Sequence, residues 1–77
     1  MPKIKPISGK KLVKILNELD FSILRISGSH FFMYHSQDGM RTTIPVHKNE
    51  EVAIGTLRKI LSDIKLSVDE YHALLKK

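Results

Sequence analysis

Phe21-Ser22-Ile23-Leu24-Arg25-Ile26-Ser27-Gly28-Ser29-His30-Phe31-Phe32-Met33-Tyr34-His35 is the stretch on which the fold turns. Residues 21–27 are rich in apolar and β-branched types and run into a glycine, so they read as a strand, although their alternation is imperfect. Residues 30–35 read as a second strand. Gly28-Ser29 between them forms a tight turn, where glycine adopts a backbone conformation other residues avoid and lets another backbone come close. A histidine is thereby delivered to the start of a strand. One face of that strand carries His30, Phe32 and Tyr34; the other carries Phe31, Met33 and His35. Both faces hold large apolar groups, so periodicity alone leaves the inward face open. Phe31 and Met33 are taken as the inward pair.

Downstream, Gln37-Asp38-Gly39 marks a hairpin turn, Asp-Gly being its strongest local signal. Met40 to Ile44 then reads as strand three. Pro45 has no N–H to give a ladder, so it ends that strand or marks an edge. Three strands with two short connections make an antiparallel meander.

Helices flank the meander. Pro2 and Pro6, with Lys3 and Lys5, form an extended basic arm. Ser8 then offers a hydroxyl to the free amides of a first turn. Lys11 stands where a complete capping box would have Glu or Gln. Leu12, Ile15, Leu16 and Leu19 follow the spacing of a helix with one buried face, ending near Asp20. Lys10, Lys11 and Lys14 fall away from that stripe, either as a solvated surface or as a strip for phosphates.

After a polar loop, Val46 to Glu51, a second helix is predicted from Ala53 to Ile64 on Leu57, Ile60, Leu61 and Ile64, with Arg58 and Lys59 on its outer side. Gly55 costs roughly 1 kcal/mol in a helix interior. It therefore implies a close backbone approach or a helix that begins at Thr56. In the second case Thr56 is the cap and the helix N-terminus a place for a phosphate. Ser67-Val68-Asp69-Glu70 is a complete capping box for a short last helix with Val68, Tyr71, Leu74 and Leu75 on its apolar face. Lys76 and Lys77 complement its dipole. The order predicts a single α+β domain over 1–77, with helices on one face of a three-stranded sheet and a short C-terminal helix. Double-stranded-RNA-binding domains share this order.

Composition narrows the function classes. The chain has 77 residues, and a domain of this size buries only about 60% of its surface, which disfavours a deep pocket. The net charge of +5 and pI near 9.7 suit a polyanionic partner. Without cysteine there is no disulfide and no thiolate-bound metal. No pair among the four histidines has a familiar ligand spacing on one element, so no metal or other cofactor is expected. No apolar run is long enough to span a bilayer, and the N-terminus lacks the apolar centre of a signal peptide, so a cytoplasmic protein without membrane contact is expected.

Four segments then come together as a pattern. Gly28-Ser29-His30, Asp38-Gly39, Pro45-Val46-His47 and Gly55-Thr56-Leu57-Arg58-Lys59-Ile60-Leu61 resemble, in order and spacing, the HicA toxins of HicAB toxin–antitoxin systems. The likeness runs from about Ser8 to about Tyr71. It departs at Lys65-Leu66-Ser67, where the family often has Gly before Leu-Ser, so the likeness does not carry over to the turn ending the second helix, though it does to the histidine. The resemblance implies an endoribonuclease that cuts mRNA, with His30 as its catalytic residue, and a HicB-like antitoxin that binds the toxin and covers that histidine.

The chemistry suits an imidazole. RNA carries its own nucleophile, the 2′-OH, and a histidine can remove that proton or protonate the leaving 5′-oxygen. No metal is required for either act. Charge building on the phosphate needs cations or amides nearby. Arg25, Arg41 and Ser29 are candidates there, with Lys10, Lys14 and Lys48 for the RNA backbone. Phe32 and Tyr34 either stack on unpaired bases or pack within the sheet. His47 and His35 are available as second acid–base groups. The resemblance aside, His47 reads as a loop-shaping residue, and His35 and His72 as surface residues. Two other readings stand beside this one: a non-catalytic double-stranded-RNA-binding module, and an interaction protein with no RNA affinity.

Overall fold

A computed structural model describes residues 3–76. Pro2 of the arm and Lys77 of the last helix lie outside the described residues. Helix α1 (Gly9–Glu18) begins where its cap was expected, with Ser8 Oγ accepting from Lys11 N at 3.2 Å. Strands β1 (Phe21–Ser27) and β2 (His30–His35) have the expected bounds. Strand β3 is Arg41–Pro45, one residue later than predicted. The delay arises because Met40 O accepts from His35 N and Gly39 N donates to His35 O, which closes the hairpin loop before β3 begins. Gly39 has φ +73, as the Asp-Gly signal requires. Helices α2 (Ile54–Asp63) and α3 (Val68–Leu75) complete the α+β arrangement.

The sheet is antiparallel in the order β1-β2-β3. Its imperfect alternation has a cause: a β-bulge between Ile23 and Arg25 leaves Leu24 without a partner. Pro45 closes β3 at a sheet edge, where a missing N–H costs no ladder bond. The inward face of β2 carries Phe31, Met33 and His35, with Met33 and His35 buried. His35 is therefore no surface residue. Its ring lies 5.0 Å from that of Phe21, and its Nδ1 accepts from Asp38 N at 3.3 Å.

Leu12 and Leu16 of α1, Leu57 and Ile60 of α2, and Tyr71 of α3 join Met33 and Ile44 in the core. Each such side chain contributes about 1.5–3 kcal/mol when fully buried. The N-terminal arm is also anchored: Ile4 and Ile7 are buried, and Tyr71 donates its hydroxyl to Lys5 O at 2.6 Å. His72, expected at the surface, is half-buried and accepts from Lys5 N at 3.1 Å. Burial, and then the charge of Glu51, push the Tyr71 hydroxyl up to about 12.

Both expectations for Gly55 change. Gly55 lies within α2 with open space around it, so it marks neither a close approach nor a start at Thr56. The cap of α2 is Ala53, which makes no side-chain capping bond; Thr56 is already in the helix. The close approach occurs instead at Gly9, where an added Cβ would run into the Pro45 and Val46 backbone. The turn after α2 keeps the glycine geometry without the glycine. Lys65 has φ +57, Leu66 N donates to Leu61 O at 2.9 Å, and Lys65 N to Ser62 O at 3.2 Å, the paired bonds of a Schellman ending. Among the described residues no helix is long and apolar enough to cross a membrane.

Candidate active site on the open sheet face

The turn that presents His30 is the shortest hairpin connection. Ser27 pairs with His30, leaving Gly28 and Ser29 as the loop. Gly28 has φ +58 and Ser29 does not share the positive φ, the pattern of a II′ turn with glycine first. A Cβ at Gly28 would meet nothing within 4 Å, so this glycine serves backbone conformation and not close approach.

Strand alternation places His30, Phe32 and Tyr34 opposite the buried Met33, on the face away from the core. Cross-strand pairing builds rows on that face. His30 stands between Ser27 and Pro45, Phe32 between Arg25 and Thr43, and Tyr34 between Ser22 and Arg41. The Arg25 guanidinium sits 4.8 Å from the Phe32 ring centroid, and that of Arg41 5.4 Å from Tyr34. Each is a cation–π contact on an exposed sheet. Arg25 reaches its place because the Leu24 bulge shifts the register by one. None of the strand residues is an aspartate or glutamate.

His30 is exposed, and among the described residues its ring makes no hydrogen bond. Val46 N donates to Ser29 O at 2.7 Å, so the Pro45-Val46-His47 segment lies against the turn that carries His30. Segments distant in sequence thus meet at one end of the sheet. Ser8 bridges to Glu51 and Val52 N donates to Ile7 O at 2.8 Å, which brings the starts of α1 and α2 to the same end. His35 projects into the core on the other face and is removed as a partner for His30. His47 is exposed in the following loop, where its carbonyl accepts from Glu50 N at 3.1 Å.

The expected site residues divide. His30, Arg25, Phe32 and Arg41 share the open sheet face, with the Ser29 backbone at its end. Lys48 is exposed in the loop after β3, at that same end. Lys10 and Lys14 are exposed on α1, in the helical layer, so the structure does not gather them with Phe32 and Arg41. Reading residues singly missed the rows themselves, including the place of Thr43 beside Phe32. The signal lay in the strand register, once the two hairpin turns were set. Among the described residues no three His, Asp or Glu side chains come together as a metal site would need.

Comparison with known proteins adds one match. A protein-family model described as the HicA toxin of bacterial toxin-antitoxin matches residues 9–66, well over half of the chain. A comparison with curated proteins gave no match.

Proposed function

The chain belongs to the HicA toxin family, and on that premise, a toxin of a toxin–antitoxin system with an antitoxin partner, we propose that it is a metal-independent endoribonuclease that cuts mRNA with His30 as its acid–base group. The observation that carries this reading is the free imidazole of His30 at the end of a sheet whose strands contain no carboxylate and whose open face also holds Arg25 and Arg41. A polyanion approaching the strands meets cations there, and the carboxylate that lines a cavity with Phe32 and Arg41, Asp63 of α2, is engaged by Thr42 Oγ1 at 3.1 Å and Lys59 Nζ at 3.6 Å.

In this mechanism the ribose 2′-oxygen attacks the adjacent phosphorus and the P–O5′ bond breaks. The 2′-OH proton leaves to a base, and the departing 5′-oxygen takes a proton. The products are a 2′,3′-cyclic phosphate and a 5′-hydroxyl end. His30 either accepts the first proton or supplies the second. Water or a second group serves the other transfer. Arginine and backbone amides offset the charge that grows on the phosphate. The partner is a HicB-like antitoxin that covers His30. Its contact includes the β1 edge, where Ile23, Leu24 and Ile26 are 42%, 58% and 53% exposed on a strand with one unpaired side. With mRNA as substrate, the site of action is the cytoplasm.

The test is cleavage of an unstructured RNA by the purified protein, alongside the same strand with 2′-deoxy sugars. The RNA is cut and the deoxy strand is not. Equal cutting of both would remove the 2′-OH from the mechanism. One observation favours a second reading, a non-catalytic RNA-binding module: among the described residues no acid–base side chain is hydrogen-bonded to His30. Protein that shifts RNA on a gel at every pH from mildly acidic to mildly basic, yet never cuts it, would establish that alternative.

A further inference from the structure

We propose that the open sheet face is a platform for single-stranded RNA, with successive bases on Phe32 and Tyr34 and backbone phosphates at Arg25 and Arg41. The proposal deepens the nuclease reading and rests on it for the identity of the substrate. Phe32 and Tyr34 are two positions apart on the central strand, and both are half-buried. Strand geometry sets such neighbours about 6.8 Å apart. That is about twice the 3.4 Å step between nucleotides of one strand in a duplex. A strand laid across both rings is therefore extended, with each base on its own ring. Bases inside a duplex are already stacked and cannot reach either ring.

Charge points to the same occupant. Arg25 and Arg41 approach the two rings from opposite edge strands, β1 and β3. Without RNA each guanidinium rests on its ring. When a base takes the ring, the guanidinium turns to the flanking phosphate, so one arginine accompanies each nucleotide. The strands hold no carboxylate, and Asp63 of α2, which lines a cavity with Phe32 and Arg41, is held by Thr42 and Lys59. His30 lies in the next row along β2, one further step of about 6.8 Å beyond Phe32. A nucleotide held on Phe32 therefore carries its neighbouring ribose and phosphate to the imidazole. Lys10 and Lys14, on the helical layer, then add general attraction and not base contact.

The test is fluorescence anisotropy with the full chain and a short 2′-O-methyl uridine strand, which cannot be cut, compared with that strand paired to its complement. The single strand binds at least about 10-fold more tightly than the duplex. Phe32→Leu and Tyr34→Leu, which keep apolar bulk, each weaken it about 10-fold, whereas Tyr34→Phe restores affinity. Lys10→Ala and Lys14→Ala weaken strand and duplex alike. Tighter duplex binding, or leucine variants that bind as wild type while folded by circular dichroism, overturns the platform. So does a protein with no salt-dependent RNA affinity, whose open face would then serve only a protein partner. The two readings fail separately. Ring-dependent binding with no cutting of ordinary RNA keeps the platform and removes the nuclease. Undiminished cutting by both leucine variants keeps the nuclease and removes the platform.

Discussion

Gly9→Ala and Gly55→Ala are the same chemical change on two helices, and they should move stability in opposite directions. A Cβ at Gly9 would collide with Pro45 O and sit 2.9 Å from Val46 Cα. Both are backbone atoms next to an edge strand and cannot rotate away as a side chain would. Overpacking of this kind costs about 1–3 kcal/mol. Alanine recovers about 0.5–1 kcal/mol of helix propensity, so the net loss is up to about 2.5 kcal/mol and about 1.3 kcal/mol at mid-range. For a domain of this size the mid-range loss lowers Tm by about 5–10 °C. At Gly55 an added Cβ meets nothing within 4 Å and φ is not positive. There the substitution only gains propensity, up to about 1 kcal/mol. Thermal denaturation followed by circular dichroism, with urea midpoints as a second readout, measures both. The Gly9 effect should also reach the site. Val46 N holds Ser29 O, so a displaced Pro45–Val46 backbone moves the turn under His30. RNA cleavage should then fall by more than the unfolded fraction explains. A Gly9→Ala protein at or above wild-type stability, or a Gly55→Ala protein equally damaged, would refute the reasoning.

Lys65 sits at φ +57, a conformation costing a non-glycine residue about 1–2 kcal/mol. Lys65→Gly should raise the unfolding free energy from urea denaturation by up to about 1.5 kcal/mol after glycine's own entropic cost is subtracted. Tyr71→Phe removes the hydroxyl's bond to Lys5 O and should cost about 1 kcal/mol at neutral pH. The Tyr71 hydroxyl is pushed up to about 12 in the fold, against about 10 in the unfolded chain. Below pH of about 10 both states keep the proton; between about 10 and 12 the unfolded state loses it first, so stability falls as pH rises. Urea midpoints across that window should fall more steeply for wild type than for Tyr71→Phe. Cleavage should persist in excess EDTA, since RNA supplies its own nucleophile; loss of activity that returns with a divalent cation would contradict metal independence.

Local rules carried much of the fold because the signals agree with one another. Ser8 and Ser67 cap the helices they precede, and the Ser67–Glu70 box closes in both directions. Gly28-Ser29 and Asp38-Gly39 set both hairpins, and the strand bounds of β1 and β2 followed. What escaped was non-local. Nothing near Gly9 says that Val46 will lie on it, whereas Gly55 stands out in its helix yet has open space around it. His35 and His72 look like surface residues until Phe21 and Lys5 arrive from elsewhere. At the site, alternation alone placed His30, Phe32 and Tyr34 on one face. The arginines needed register: Arg41 follows from the second hairpin, but Arg25 reaches Phe32 only through the Leu24 bulge, which the sequence shows as nothing more than broken alternation.

His30→Ala under single-turnover conditions, with an unstructured RNA, tests the central claim most directly. The ring is exposed and makes no hydrogen bond among the described residues, so the variant should fold with stability within about 0.5 kcal/mol of wild type. Its cleavage rate should drop by about 10²–10⁴-fold, the contribution of a positioned acid–base group. A folded His30→Ala protein that cuts RNA at the wild-type rate would contradict the account.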